Sequence, residues 1–328
     1  MIPSLFDYKR ASSAAEAISL VTEYGEDAKF LAGGHSLLPL MKLRLAAPSV
    51  LVDIGRLKDL SYITDAGSYI AIGALTRHMD VETSSVVKKH VPLLACAAGH
   101  VGDPQVRHRG TIGGSIAHAD SASDLPATTL ALGATYVVQG ASGTREIAAT
   151  DFYKGFLESA LRPDEMLTEI RVPKMNGAGW SFQKFNRRAQ DWAIVGVAAW
   201  RGNGGSGVAL VNMGSTPVLA TDVATALASG ASVADAAELA AAQADPQSDL
   251  NASAEYRTHL AKVPLAHVQN DSQVGKVLRV GRFEGRPERQ RGCEVHTTHA
   301  RARAERHFRR RYGSARPGTE LGCSPAVD

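Results

Sequence analysis

Two short stretches carry the residues that could do chemistry. The first, Lys29 to Leu45 (KFLAGGHSLLPLMKLRL), changes character at the pair Gly33–Gly34: Lys29–Ala32 reads as the end of a short buried strand and Ser36–Leu45 as a helix. Ser36 is placed to cap that helix, and Pro39 falls in the first turn, where amides lack intrahelical partners anyway. Strand, glycine turn and helix N-terminus together make a place for an anion, because unpaired N–H groups and the positive dipole end converge where glycine lets a phosphate approach. The second stretch, Arg107 to Ala127 (RHRGTIGGSIAHADSASDLPA), repeats the theme at Gly113–Gly114, with the hydroxyls of Thr111 and Ser115 on either side. Asp124 reads as the N-cap of a helix running to about Leu132, with Pro126 in its first turn. A diphosphate has two ends, so the two turns read jointly as a dinucleotide cleft; the equal alternative is that both are ordinary turns. Neither shows the GxGxxG spacing with an acid about 20 residues on, so NAD held in the Rossmann manner is disfavoured.

Around these turns the chain divides into units. Residues 1–55 form a βαβ-like unit: a helix over Ser13–Tyr24 with apolar residues at helical spacing, capped by Ser12 or Ser13 and ended by Gly25, then the strand before Gly33, the helix after it, and a strand at Val50–Ile54. Residues 56–176 carry strands at Tyr69–Ile72, Thr135–Gln139 and Leu167–Val172, the last closed by Pro173, and an apolar helix over Val86–Ala98 that Pro92 starts or kinks. Residues 177–263 carry strands at Gly177–Lys184, Trp192–Trp200 and Gly207–Met213, with a hairpin at Gly202–Gly205. Helices at Ala220–Ser229 and Val233–Ala242 follow, and a third begins near Ser253 and loses its pattern at Pro264.

The chain of 328 residues has 44% apolar residues, enough to bury real cores. No run approaches the roughly 18 apolar residues of a membrane span, and the start, MIPSLFDYKR, lacks a signal peptide pattern, so a soluble cytoplasmic protein is expected. The net charge of +3 is a composite. From Pro264 onward 12 Arg and 1 Lys stand against 7 acids, which leaves the preceding residues net acidic and gives no argument for nucleic acid. Of three cysteines only Cys96 precedes the Arg-rich tail, where it reads as a small core residue; one cysteine cannot hold an iron–sulfur cluster, which takes about four. His108, His118 and Asp120 read as loop hydrogen-bonders rather than a metal set, since no further ligand comes at metal spacing.

Four segments carry a resemblance: MIPxxFxY at the start, AGGHSLLPLMKLR at Ala32–Arg44, RGTIGGSIAHADSASDLPA at Arg109–Ala127 and KFNRRAQDWAIVG at Lys184–Gly196. In this order and at this spacing the chain resembles the flavin-binding medium subunits of the molybdenum hydroxylases, and especially those of carbon monoxide dehydrogenase. The resemblance implies an α+β chain: a two-subdomain PCMH-type FAD-binding fold of the vanillyl-alcohol-oxidase superfamily (1–55 and 56–176), a small α+β C-terminal domain (177–263), and an atypical tail (264–328). It implies FAD held by Ala32, Gly33, Gly34, His35, Ser36 and Leu37 on one side and Thr111, Ile112, Gly113, Gly114 and Ser115 on the other. Asp124, Leu167, Lys184 and Val101 would complete the site, with Lys184 near the polar edge of the flavin. Flavin attachment through His35 is not implied, and Trp192 packs near the flavin or is core.

The implied function is electron transfer, with no catalytic residue and no metal on this chain. A small partner would carry two [2Fe–2S] clusters and a large one a molybdopterin cofactor, as a dimer of heterotrimers. A free-standing flavin oxidase and a non-catalytic binding module are the alternatives. The tail, PLAHVQNDSQVGKVLRVGRFEG onward, departs from the pattern and reads as a product of a shifted frame near Val263, or else as a basic arm.

Overall fold

A computed structural model of the chain describes residues 2–266. The readings of the Arg-rich segment as a shifted frame or a basic arm lie outside the described residues.

The first unit is a three-stranded parallel sheet of β1 (Asp7–Arg10), β2 (Ala28–Leu31) and β3 (Val50–Asp53), in the order β1-β3-β2. Parallel neighbours need crossovers. The first contains α1 (Ala14–Tyr24), which buries Ala14, Ala17, Ile18 and Val21. Ser13 caps it by accepting from the Glu16 amide at 3.1 Å, and Gly25 ends it at φ 60°. The second crossover contains α2, which spans only Leu37–Lys42. The helix expected to reach Leu45 stops there because Arg44 adopts φ 59°, outside the helical region. Ser36 holds the cap position, yet its hydroxyl makes no cap bond: its backbone (φ −102°, ψ −51°) is already helical, whereas a capping side chain reaches back from an extended residue. Strand β2 is less buried than expected, only Ala28 being buried.

The second unit is an antiparallel sheet of β4 (Ile63–Asp65), β5 (Tyr69–Gly73), β6 (Thr135–Gly140), β7 (Gly143–Ala148) and β10 (Met166–Pro173), ordered β4-β5-β10-β6-β7. Between β7 and β10 lie a short turn of helix, α9 (Ala149–Phe152), and a small hairpin of β8 (Tyr153–Gly155) and β9 (Glu158–Ser159). Alternate residues Ile70, Ile72, Tyr136, Val138, Ile170 and Val172 turn one sheet face into an apolar core. The helices that cover it are α3 (His78–Thr83), α4 (Ser85–His90), α5 (Pro92–Gly99), α7 (Ile112–His118) and α8 (Asp124–Ala131), while α6 (Pro104–Arg109) buries no residue and packs on α3. The apolar stretch around Pro92 is thus two helices, with Val91 between them and the proline at the first position of the second, where its missing N–H costs nothing.

The third sheet runs β11 (Gly179–Phe185), β12 (Val195–Gly202), β13 (Gly205–Val211) and β14 (Val218–Leu219). It is buried on both faces, which is why WAIVGVAAW shows no polar alternation. Ala198, Ala209 and Val211 face the second unit's core, while Val195, Val197, Ala199, Val208 and Leu210 face α10 (Thr221–Ala228), α11 (Val233–Glu238) and α12 (Ala254–Ala266). The last helix does not stop at Pro264; the proline falls in its final turn, where one backbone hydrogen bond is lost. Trp192 and Ala193 precede β12 rather than forming its start.

Candidate functional site

A cavity of about 910 Å³ opens where β2, α2, α7 and the start of α8 meet. Its floor is the first glycine loop. The amides of Gly33, Gly34, His35 and Ser36 follow the end of β2 and find no backbone or side-chain acceptor among the described residues, and all four residues line the cavity. Gly34 holds φ 78°, a left-handed value that glycine adopts without cost. Gly33 packs against the second loop: a β-carbon there would stand 2.4 Å from the Arg109 carbonyl oxygen and 2.9 Å from the Gly110 α-carbon.

The second glycine pair is not a turn. It lies in the first turn of α7, whose cap is Thr111: the threonine hydroxyl accepts from the Gly114 amide at 3.1 Å. Its amides are also occupied. Ile112 N–H donates to Thr76 O (3.0 Å), Gly113 N–H to Ala74 O (2.9 Å) and Ser115 N–H to Thr111 O (3.1 Å). The symmetric picture of two loops offering backbone donors is therefore corrected. The first loop has free amides, while the second offers close glycine backbone and the half-buried Ser115. Ile112 does not reach the cavity and is a fully buried core residue. Every other residue singled out above for the cofactor (Ala32, Gly33, Gly34, His35, Ser36, Leu37, Val101, Thr111, Gly113, Gly114, Ser115, Asp124, Leu167 and Lys184) lies on its wall.

Asp124 is the first residue inside α8 rather than its cap, which is Ser123. From there its carboxylate meets Lys184 on β11: Nζ donates to Oδ2 at 2.8 Å and to the His100 carbonyl at 3.0 Å. Both side chains are 5% exposed. Such a pair is sustained only when charges and lone pairs are satisfied, yet Asp124 Oδ1 is buried without a partner. Burial pushes the Asp124 carboxyl up from its ordinary range, and Lys184 pulls the other way. A ligand donor reaching Oδ1 would complete the set.

Other groups show the limits of linear reading. His118 sits on α7 and lines the cavity, while His108 sits on α6 away from its wall, so neither is on a loop. Among the described residues no cluster of three His, Cys, Asp or Glu could hold a metal. Trp192 is 58% exposed on the cavity rim, not core. Cys96 is half-buried against the second core, and burial pushes its thiol up to about 11. The segment Leu161–Leu167 also walls the cavity. It is pinned by Glu165, which takes two bonds of 2.7 Å from Arg145 and one of 2.8 Å from the Arg162 amide. The run LRPDEML carries turn-forming Pro-Asp before a strand, the only signal that could have marked it. His78, buried on the wall, was likewise missed.

A cavity of this volume, lined by free amides, by close glycine backbone and by a buried acid–base pair with one open acceptor, fits a dinucleotide with both phosphates and hydrogen-bonding rings. These features define a nucleotide-cofactor-binding protein.

Comparison with known proteins gives the family. Residues 4–175 match the FAD binding domain in molybdopterin dehydrogenase, and residues 180–271 the CO dehydrogenase flavoprotein C-terminal domain. The chain belongs to this family of FAD-binding medium subunits. It is 41% identical to the carbon monoxide dehydrogenase medium chain of Hydrogenophaga pseudoflava, over 80% of this chain and 94% of that one. It is 38% identical to the glyceraldehyde dehydrogenase medium chain of Sulfolobus acidocaldarius, over 80% and 96%. Among solved structures it is similar to Hydrogenophaga pseudoflava carbon monoxide dehydrogenase lacking the Mo-pyranopterin moiety (TM-score 0.77, 41% identity, 81% of this chain and 96% of that one). It is also similar to quinoline 2-oxidoreductase from Pseudomonas putida 86 (TM-score 0.76, 34% identity, 82% and 96%). The chain is thus an oxidoreductase subunit with an FAD-binding domain.

Proposed function

We propose that this chain passes electrons from [2Fe–2S] clusters on a partner, through its FAD, to an external acceptor, as the medium subunit of a carbon monoxide dehydrogenase-like molybdenum hydroxylase. The observation that carries the reading is the cavity at the meeting of the two glycine loops, with unspent amides at Gly33–Ser36 and an unpartnered Asp124 Oδ1. Bound FAD would supply one- and two-electron redox chemistry. The chain's own residues bind and orient. The amides of Gly33, Gly34, His35 and Ser36 donate to diphosphate oxygens, and Gly113, Gly114 and Ser115 bring the second loop against the same group. Asp124 Oδ1 accepts from a ligand N–H or O–H, held in place by Lys184, whose cationic head favours negative charge nearby. Val101, Leu167 and Trp192 supply apolar wall. In this reading residues 1–55 and 56–176 are the FAD-binding subdomains, 177–263 the C-terminal domain and 264–328 an appended tail.

The partners are a small iron–sulfur subunit and a large molybdopterin subunit, assembled as a dimer of heterotrimers in the cytoplasm. In support, the described residues contain one cysteine and no helix long and apolar enough to cross a membrane. The test is to produce the full chain with its neighbouring gene products and measure flavin released per chain. About one FAD per chain, reduced by the partner's substrate only in the assembled complex, is expected. A flavin-free complex would overturn the reading, and a yellow chain oxidising a small alcohol unaided would replace it with a free-standing oxidase.

A further inference from the structure

Arg77 does not line the cavity, yet it stands where its two loops meet. Resting on the FAD reading above, we propose that Arg77 is a positioning residue: a clasp that holds the two glycine loops at the spacing the diphosphate needs. Ala74–His78 runs beside Gly110–Gly113 as a short antiparallel ladder. Gly113 N–H donates to Ala74 O, Ile112 N–H to Thr76 O and His78 N–H to Gly110 O (3.1 Å), while Arg77 and Thr111 form a bridge. This ladder fixes the second loop alone.

The Arg77 side chain leaves the ladder and joins the loops. Nη1 donates to the Arg109 carbonyl and Nη2 to the Gly55 carbonyl at 3.4 Å. The Arg109 carbonyl is the group on which Gly33 packs. Gly55 follows β3 and packs on the same loop; a β-carbon there would stand 3.0 Å from the Ala32 carbonyl. One guanidinium therefore bonds to both residues that pack on the Ala32–Gly33 segment. A planar fork with separated donors suits two carbonyls that face different loops, whereas a lysine offers one point charge. The imidazole of His78 packs under Gly110, adding a rigid wedge to the same corner.

The test uses the full chain with Arg77→Ala, Arg77→Gln and Arg77→Lys. FAD is removed and rebound, and the melting temperature is read for the stripped and reloaded forms. The expected result is a loss of FAD affinity of about tenfold or more for Arg77→Ala, the scale of a charge-assisted hydrogen bond. The stripped melting temperature should move little, and millimolar methylguanidinium should restore part of the affinity. Should Arg77→Ala fail to fold, Arg77→Gln, which keeps a neutral amide donor but not the charged fork, and Gly55→Ala, which pushes on the Ala32 carbonyl, are expected to weaken FAD in the same sense. A parent chain that binds no FAD overturns the site reading and the clasp with it. A parent that binds FAD, with variants that bind as tightly or lose stability equally with and without FAD, overturns the clasp alone.

Discussion

The α-carbon of Gly33 rests on the carbonyl oxygen of Arg109, so closely that a β-carbon at position 33 would stand 2.4 Å from it. The two glycine motifs are thus one packed junction rather than two separate jaws. Gly33→Ala must separate them or shift backbone on both sides, an overpacking cost of about 1–3 kcal/mol. The expected outcome is a lower melting temperature and loss of most bound flavin, read as the flavin-to-protein absorbance ratio. Gly204→Ala, where a β-carbon meets nothing within 4 Å, is the matched control and should leave both unchanged.

The adjacent glycines of α7 should respond differently. A β-carbon on Gly113 meets the Ala74 β-carbon at 2.5 Å and its carbonyl oxygen at 2.6 Å, a strand-like backbone that cannot swing away. On Gly114 the one close neighbour is the Thr111 hydroxyl at 2.7 Å, which can rotate at the cost of the cap, about 1 kcal/mol, and the Ala32 β-carbon lies at an ordinary 4.0 Å. Chemical denaturation of the two alanine variants should therefore rank Gly113→Ala as the more destabilised.

Removing one member of the buried Asp124–Lys184 pair leaves the other uncompensated. Lys184→Met is expected to cost about 3–5 kcal/mol at neutral pH. The pH dependence has a definite sign. Asp124 has a raised folded pKa, so the native state holds more protons than the unfolded chain above the ordinary carboxyl range, and stability falls as pH rises through that window. Without Lys184 the effect should grow, and denaturation of Lys184→Met should show rising stability toward acid, which Asp124→Asn removes.

His78 acts in the opposite direction. Burial, then the charges of His35, Arg107 and Arg77, push its imidazole down to about 4 from 6.5. The unfolded chain binds that proton first, so stability contributed by neutral His78 is present above the ordinary value and is lost as pH falls through the folded one. The loss is about 3 kcal/mol across this window. Measured stability from pH 7 to 4 should drop accordingly, and His78→Gln should flatten that slope.

Much of the architecture was legible in order along the chain, because α1 with its Ser13 cap, the strands around Ile72, Val138 and Ile170, and the hairpin before Gly205 announce themselves by local periodicity and turn chemistry. Strands β1, β4 and β7 were not legible. They lie at sheet edges, and β1 is exposed along its length, so no apolar run marks them.

At the site the sequence alone determined which residue types were available: two glycine pairs, flanking hydroxyls, an acid and a lysine. Only the tertiary structure decided how they are used. It left the Gly33–Ser36 amides free and occupied those of Ile112–Ser115, because the carbonyls of Ala74 and Thr76 reach the second motif while no described acceptor reaches the amides of the first. It carried Lys184 to Asp124 and Arg77 to Gly55 across sheets whose register is set by core burial, not by neighbouring sequence. Hydrogen-bond saturation and close backbone contact are properties of what approaches a residue from afar, and that information is absent from any window of the chain.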